Sequence, residues 1–318
     1  MLRYLFVYLR RLITAFLLAS LAGVVKAQYD PSFSHYFDME TSFNPAAAGK
    51  QPKINVTAAY ALDMAGFEHN PQTAYAAADM PFYALKNYHG VGLQFMNDKL
   101  GLFAHTRLAA QYAYKFRLFG GQMSAGLQVG LISEKFDGSR ADLGDSSDPA
   151  FSSSQLSGNV VDLGAGIYYT LKEFYAGLAV QHVTAPLVSL GETKELQIDR
   201  TYYLSGGYNI KLRNPFLTIK PSMLVKTDWV GWRADVTGRL VYTHDDRLLY
   251  GGLSYSPTNS VTMLLGGSFH GIVLGYSYEF YTSGLNPGNG SHELFVGYQH
   301  DINLVKKGKN KHKSVRIL

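Results

Sequence analysis

Apolar and polar residues alternate along most of this chain with a period of two. From Arg107 to Arg117, Leu108, Ala110, Tyr112, Tyr114 and Phe116 fall on one side, and Arg107, Gln111, Lys115 and Arg117 on the other. Trp232, Ala234, Val236, Leu240 and Tyr242 alternate with Arg233, Asp235, Thr237 and Arg239 in the same way, and Leu217, Ile219, Met223 and Val225 with Thr218, Lys220, Ser222 and Lys226. Segments of roughly ten residues that set apolar against charged or polar side chains are the pattern of a wall with lipid on one face and water on the other. About fourteen such segments are predicted, beginning near Ile54, Gln72, His89, Ala104, Gln122, Asn159, Glu173, Thr201, Phe216, Gly231, Arg247, Asn259, Gly271 and His292. The fold expected is all-β: a transmembrane outer-membrane β-barrel of antiparallel strands, closed because unpaired backbone groups do not survive in hydrocarbon.

The interruptions fit that topology. Tight connections at Phe119-Gly120-Gly121, Leu171-Lys172, Arg213-Asn214-Pro215, Asp245-Asp246 and His270-Gly271 alternate with longer ones, among them 137–158, 184–200 and 282–291. Short turns on the periplasmic side and longer loops outside are normal for these barrels, and an even strand count puts both termini in the periplasm. The uncharged stretch from Leu248 to Tyr278 is broken by Ser256-Pro257-Thr258-Asn259 and several glycines, so it reads as strands, not as a membrane helix.

Composition changes the picture mainly at the two ends. Residues 1–27 carry Arg3, Arg10, Arg11 and Lys26 around an uncharged run from Leu12 to Val25, the make-up of a secretory signal peptide. A segment 28–52 precedes the barrel, 53–304, and a tail 305–318 follows it with Lys306, Lys307, Lys309, Lys311, Lys313 and Arg316 and no acid. The net charge of +5 is confined to these ends; the remaining body has nineteen basic against 24 acidic residues, so the basic balance does not point to nucleic acid. Charged residues are only 17% and aromatics 14%, with 23 tyrosines, which suits a lipid-facing wall. The chain has no cysteine, which excludes disulfides, thiolate metal sites and a lipoprotein anchor.

A search for chemistry finds no catalytic, cofactor or metal constellation. His292-Glu293 lacks the second histidine of a zinc-protease helix and sits in a strand pattern, and neither a phosphate loop nor a Gly-x-Ser-x-Gly elbow occurs in its proper context. No enzymatic activity and no cofactor are expected. Asp137, Asp142, Asp145 and Asp148 lack the ligand spacing of a calcium loop and read as a solvated surface. Inward charges (Arg107, Lys220, Arg233 and Arg239 against Asp162, Asp235 and Glu279) either line a pore or pair across a closed lumen, the second being favoured.

The stretch Asp30-Pro31-Ser32-Phe33-Ser34-His35-Tyr36-Phe37 followed by Phe43-Asn44-Pro45-Ala46-Ala47-Ala48-Gly49 combines proline turns with clustered aromatics, which suits a packed plug. With Met80-Pro81-Phe82, Gly90-Val91-Gly92-Leu93, Asn97-Asp98, Tyr202-Tyr203, Gly206-Gly207-Tyr208, Ser291-His292-Glu293-Leu294 and Gly297-Tyr298, in this order, the chain resembles the PorP/SprF outer-membrane proteins of the type IX secretion system. The resemblance implies an outer-membrane part of a machine exporting proteins with C-terminal signal domains. It implies partners in the PorK lipoprotein and PorN periplasmic ring, a peptidoglycan-binding lipoprotein and secreted cargo. The motif residues so marked are Asp30, Pro31, Phe33, Phe37, Asn44, Pro45 and Gly49. The cations Lys306, Lys307, Lys309, Lys311, Lys313 and Arg316 are candidates for docking a partner. The alternative is a passive channel for small hydrophobic or polar solutes, since about fourteen strands and a plug also suit fatty-acid transporters.

Overall fold

A computed structural model describes residues 29–138, 155–191, 194–257, 259–283 and 289–302. The expected signal peptide (1–27), the acidic positions Asp142, Asp145 and Asp148 and the basic tail (305–318) lie outside the described residues. The strands are β1 (Lys53–Leu62), β2 (Gln72–Ala84), β3 (Asn87–Leu100), β4 (Phe103–Leu118), β5 (Gly121–Asp137) and β6 (Gln155–Leu171). There follow β7 (Phe174–Gln181), β8 (Leu187–Leu190), β9 (Lys194–Gln197), β10 (Thr201–Tyr208), β11 (Ile210–Lys211) and β12 (Leu217–Thr227). The last five are β13 (Trp232–His244), β14 (Arg247–Ser256), β15 (Ser260–Phe269), β16 (Ile272–Tyr281) and β17 (Ser291–Asp301).

Every neighbour in the wall is antiparallel, and β1 pairs with β17 from Lys53↔Asp301 to Leu62↔His292, so the sheet closes on itself. β10 and β11 both pair with β12 and form one stave interrupted at Asn209. With β8 and β9 set apart as a separate hairpin, the wall has fourteen staves. Thirteen of the fourteen begin within two residues of the position expected from alternation. β6 starts four residues earlier than Asn159 because Gln155-Leu156-Ser157-Gly158 offers only one apolar side chain to mark the pattern.

The wall is inside-out. In β4 the inward positions His105, Arg107, Gln111 and Lys115 are buried, while Leu108, Tyr112 and Tyr114 are exposed on the outer face. The same outer band holds Leu93, Leu127, Leu131, Met263 and Leu265, each around three-fifths exposed. So continuous an apolar surface is untenable in water and is satisfied by lipid. The even count brings Lys53 and Asp301 to one rim, which also carries the short turns at Leu85-Lys86, Phe119-Gly120, Lys172-Glu173, Asp245-Asp246 and His270-Gly271. This is called the near rim below; the longer connections, including 63–71 and 182–200, are at the far rim.

Candidate functional site

Residues 29–50 run through the inside of the barrel. Tyr29 and Asp30 lie toward the far rim, beside His105, Glu134, His182 and Lys226, and Gly49 lies near the other end beside Asp79 and Lys115. The even strand count therefore fixes where the barrel strands begin and end, but this preceding segment reaches back across the lumen. It contains two 3-10 turns, Glu40–Ser42 and Pro45–Ala47. Asn44 starts the second turn: its side-chain oxygen accepts from the Ala46 N–H at 3.0 Å, and Pro45 supplies a preset φ at the first position.

The seven motif residues all fall in this segment. The Asp30 carboxylate accepts from Tyr203 Oη at 2.7 Å and lies 3.2 Å from His182 Nε2 and 3.7 Å from Arg107 Nη1, while its carbonyl accepts from Lys226 Nζ at 2.6 Å. Pro31 follows at the edge of a small cavity of about 20 Å³. Phe33 is buried in an apolar cluster with Met39, Ala59, Ala61, Tyr75, Met96, Val273 and Phe295. Phe37 lies under the Arg239 guanidinium, 3.3 Å from the ring centroid, a cation–π contact. Asn44 also donates to the Ile167 carbonyl at 3.1 Å, tying the segment to β6. Gly49 has φ +60°, and a Cβ there would lie 2.8 Å from the Met80 carbonyl group, so both its backbone and its space require glycine.

The wall is shaped to receive this segment. A Cβ at Gly90 would lie 1.9 Å from the Ala48 oxygen, and one at Gly126 would lie 2.2 Å from the Ala46 nitrogen, so two strands admit backbone where a side chain would otherwise stand. A row of glutamines crosses β3 to β7. Gln94 and Gln111 donate to Gln128 at 2.6 and 2.7 Å, and Gln128 donates to Gln181 at 2.9 Å. The same row reaches the segment through Gln111 to the Thr41 carbonyl at 2.7 Å and Gln181 to the Phe43 carbonyl at 2.8 Å. Glu293 of β17 accepts from the backbone N–H groups of Ser34 and His35 at 2.7 and 3.0 Å and lies 2.6 Å from His35 Nδ1, and the His35 ring stacks on Phe295. Tyr36 donates to Thr237, and Lys50 pairs with Glu40, which also accepts from Tyr168.

Three of the four inward cations, Arg107, Arg233 and Arg239, pair within the described structure. Arg233 is 3.1 Å from Asp235 and 2.9 Å from Glu279; Arg107 and Arg239 face Asp30 and Asp38 of the segment; Asp162 is 3.1 Å from His182. Lys220 has no ion pair among the described residues. His182, just past the end of β7, is fully buried; burial opposes its charge, but Asp30 and Asp162 outweigh it and push its pKa up to about 9.

Over the far mouth, the β8–β9 hairpin folds inward. Val188, Leu190 and Ile198 pack on Ile132 with Tyr29, Leu156 and Val160 around them. The cavity beside Phe37, Glu40 and Lys50 measures about 80 Å³, room for a few waters. The hairpin, the glutamine row and the Glu293 clasp were not among the expectations from sequence. Parity along the strands marks these side chains as inward, but not what they meet.

Fold and interior together define a transmembrane β-barrel of the outer-membrane kind whose lumen holds the segment preceding its first strand. Residues 25–298 match the family model described as type IX secretion system membrane protein PorP/SprF, and the chain belongs to that family. No curated protein matches the chain. Among solved structures, the monoaromatic hydrocarbon channel CymD is 8% identical, with 88% of this chain and 95% of that one covered and a TM-score of 0.49. A FadL homologue from Pseudomonas aeruginosa is 12% identical over 82% and 93%, with a TM-score of 0.47. The Pseudomonas putida toluene transporter TodX is 10% identical over 86% and 95%, with a TM-score of 0.46. The solutes in these descriptions are those of the proteins described.

Proposed function

We infer that the protein works within the outer-membrane part of the type IX secretion system, the setting that its family membership gives. We propose that within this apparatus it is a non-enzymatic anchor, with its lumen held shut by residues 29–50 and its near rim in the periplasm, where it docks the PorK and PorN ring and supports export of proteins with C-terminal signal domains. The observation that carries this reading is the grip on the segment. Carbonyls at Asp30, Ser42, Thr41, Phe43 and Gly49 accept from Lys226, Arg107, Gln111, Gln181 and Lys115, donors spread over β4, β7 and β12. Buried donors that lose such partners are costly, so the segment acts as part of the wall and not as a loose occupant. The same grip speaks against a passive channel, the alternative that the conductance measurement below separates.

Two measurements test the reading. A clean deletion of the gene should trap C-terminal-domain cargo in the periplasm; normal export would reject the assignment. In planar bilayers the intact protein should show no large stable conductance, and removal of Tyr29–Thr41 should open one. A large conductance in the intact protein would favour the channel alternative.

A further inference from the structure

At the near mouth the lumen widens into a vestibule of about 1120 Å³. Tyr83, Tyr88, Lys115 and Arg117 have the inward parity of their strands and line it, and Lys86 and Lys172 stand at the turns on its edge. Four of these six residues are cations, and no carboxylate is among the residues that line the cavity. The nearby acids are engaged: Glu173 pairs with Lys211 at 2.6 Å, and Asp79 accepts from Gly49 and Asn55 at 2.8 and 3.2 Å. Lys86, Arg117 and Lys172 have no ion pair among the described residues. Lys115 differs, since its ammonium is fixed on the Gly49 carbonyl and so sets the end of residues 29–50 as the vestibule floor.

We propose that this vestibule binds an acidic, extended polypeptide segment of a partner protein. The volume exceeds the roughly 300–1,000 Å³ of most small-molecule pockets and suits several residues of chain. The Tyr83–Tyr88 pair, with ring centroids 5.1 Å apart, offers an apolar face beside the cations, and Gln122 offers a donor and an acceptor to a peptide backbone. The chain's own basic ends are the wrong occupants: residues 305–318 carry six cations and residues 1–27 carry four, with no acid in either. Asp137 and Gln155, the strand ends that bracket the acidic stretch 142–148 in sequence, lie at the far rim, the opposite end of the barrel. The proposal concerns the isolated barrel and does not depend on the secretion reading.

The test uses the detergent-purified full-length mature barrel and a fluorescein-labelled decaglutamate peptide, followed by anisotropy at low and moderate salt. The peptide should bind, more weakly as salt rises, and K86Q/R117Q/K172Q should weaken it at least tenfold. Neutralising Lys306, Lys307, Lys309, Lys311 and Lys313 to Gln should leave vestibule binding in place. A photo-crosslinker on the peptide should map to residues 83–88 and 115–122 in the unaltered protein, a readout that stands even if the triple variant fails to fold. Equal affinity in a folded triple variant, or crosslinks confined to 305–318, would overturn the proposal. So would binding of a sulfated oligosaccharide with none of decaglutamate.

Discussion

The Glu293 carboxylate takes donors from two consecutive residues, Ser34 and His35, in a space where it is only 4% exposed. Truncation to Ala would leave two backbone N–H groups without a partner, at about 1–3 kcal/mol each. Glu293→Ala should therefore accelerate amide exchange at Ser34 and His35 by tenfold or more, with the wall strands unaffected; unchanged protection would mean the clasp is redundant. His182 acts at the same scale through charge. Its folded pKa of about 9 is above the ordinary 6.5, so the stabilisation it gives the Asp30 end is fully present below about pH 6.5 and is lost as pH rises through about 9. Protease access to residues 29–34 should rise across that upper range in the unaltered protein, and His182→Gln should remove the step. A step of the same size in the variant would assign it to another group.

At the scale of elements, the luminal segment is held by shape as well as by hydrogen bonds. Gly126→Val would place side-chain atoms where the Ala46 nitrogen now lies, 2.2 Å from the position of the Cβ alone. This variant should keep a folded barrel, shown by its migration before and after heating, but displace Pro45–Ala47 and give measurable conductance. A silent bilayer would show that the segment can shift without opening a path. The strands themselves were legible in the sequence because lipid outside and polar packing inside impose one parity on every stave. The Pro-rich aromatic stretch was legible as packed for a related reason: Phe33, Phe37 and Phe43 are too many buried-type side chains for a solvated tail. What was not legible is pairing. The same alternation that puts Glu293 inward and His292 outward, next to Tyr276 at 2.7 Å, says nothing about His35, 258 residues away. Neutral glutamines give still less signal, although Gln94, Gln111, Gln128 and Gln181 share inward parity on neighbouring strands. The β8–β9 hairpin escaped because two four-residue strands leave no sustained period.

For the whole molecule, the proposed placement of the near rim in the periplasm would give the basic tail, 305–318, a docking task in the proposed assembly. Lys306, Lys307, Lys309, Lys311, Lys313 and Arg316 follow a strand whose last residues lie at that rim. Electrostatic docking of this kind mainly raises encounter rate and fades with ionic strength. Changing the five lysines to Gln should lower recovery of the ring at low salt, with barrel insertion unchanged. Equal recovery would assign docking to another surface.

The contents of the lumen also constrain how the molecule is made. Phe33 and Met39 share one cluster with Ala59 and Ala61 of the first stave and with Val273 and Phe295 of the last two. The seam between first and last staves thus meets over residues that belong to neither, so shutting the ring and seating residues 29–50 are coupled, as a mould and its insert are. Timing then matters as much as final stability. Phe33→Ala should slow the appearance of the heat-modifiable form during refolding into detergent, while the finished barrel retains its β content by circular dichroism.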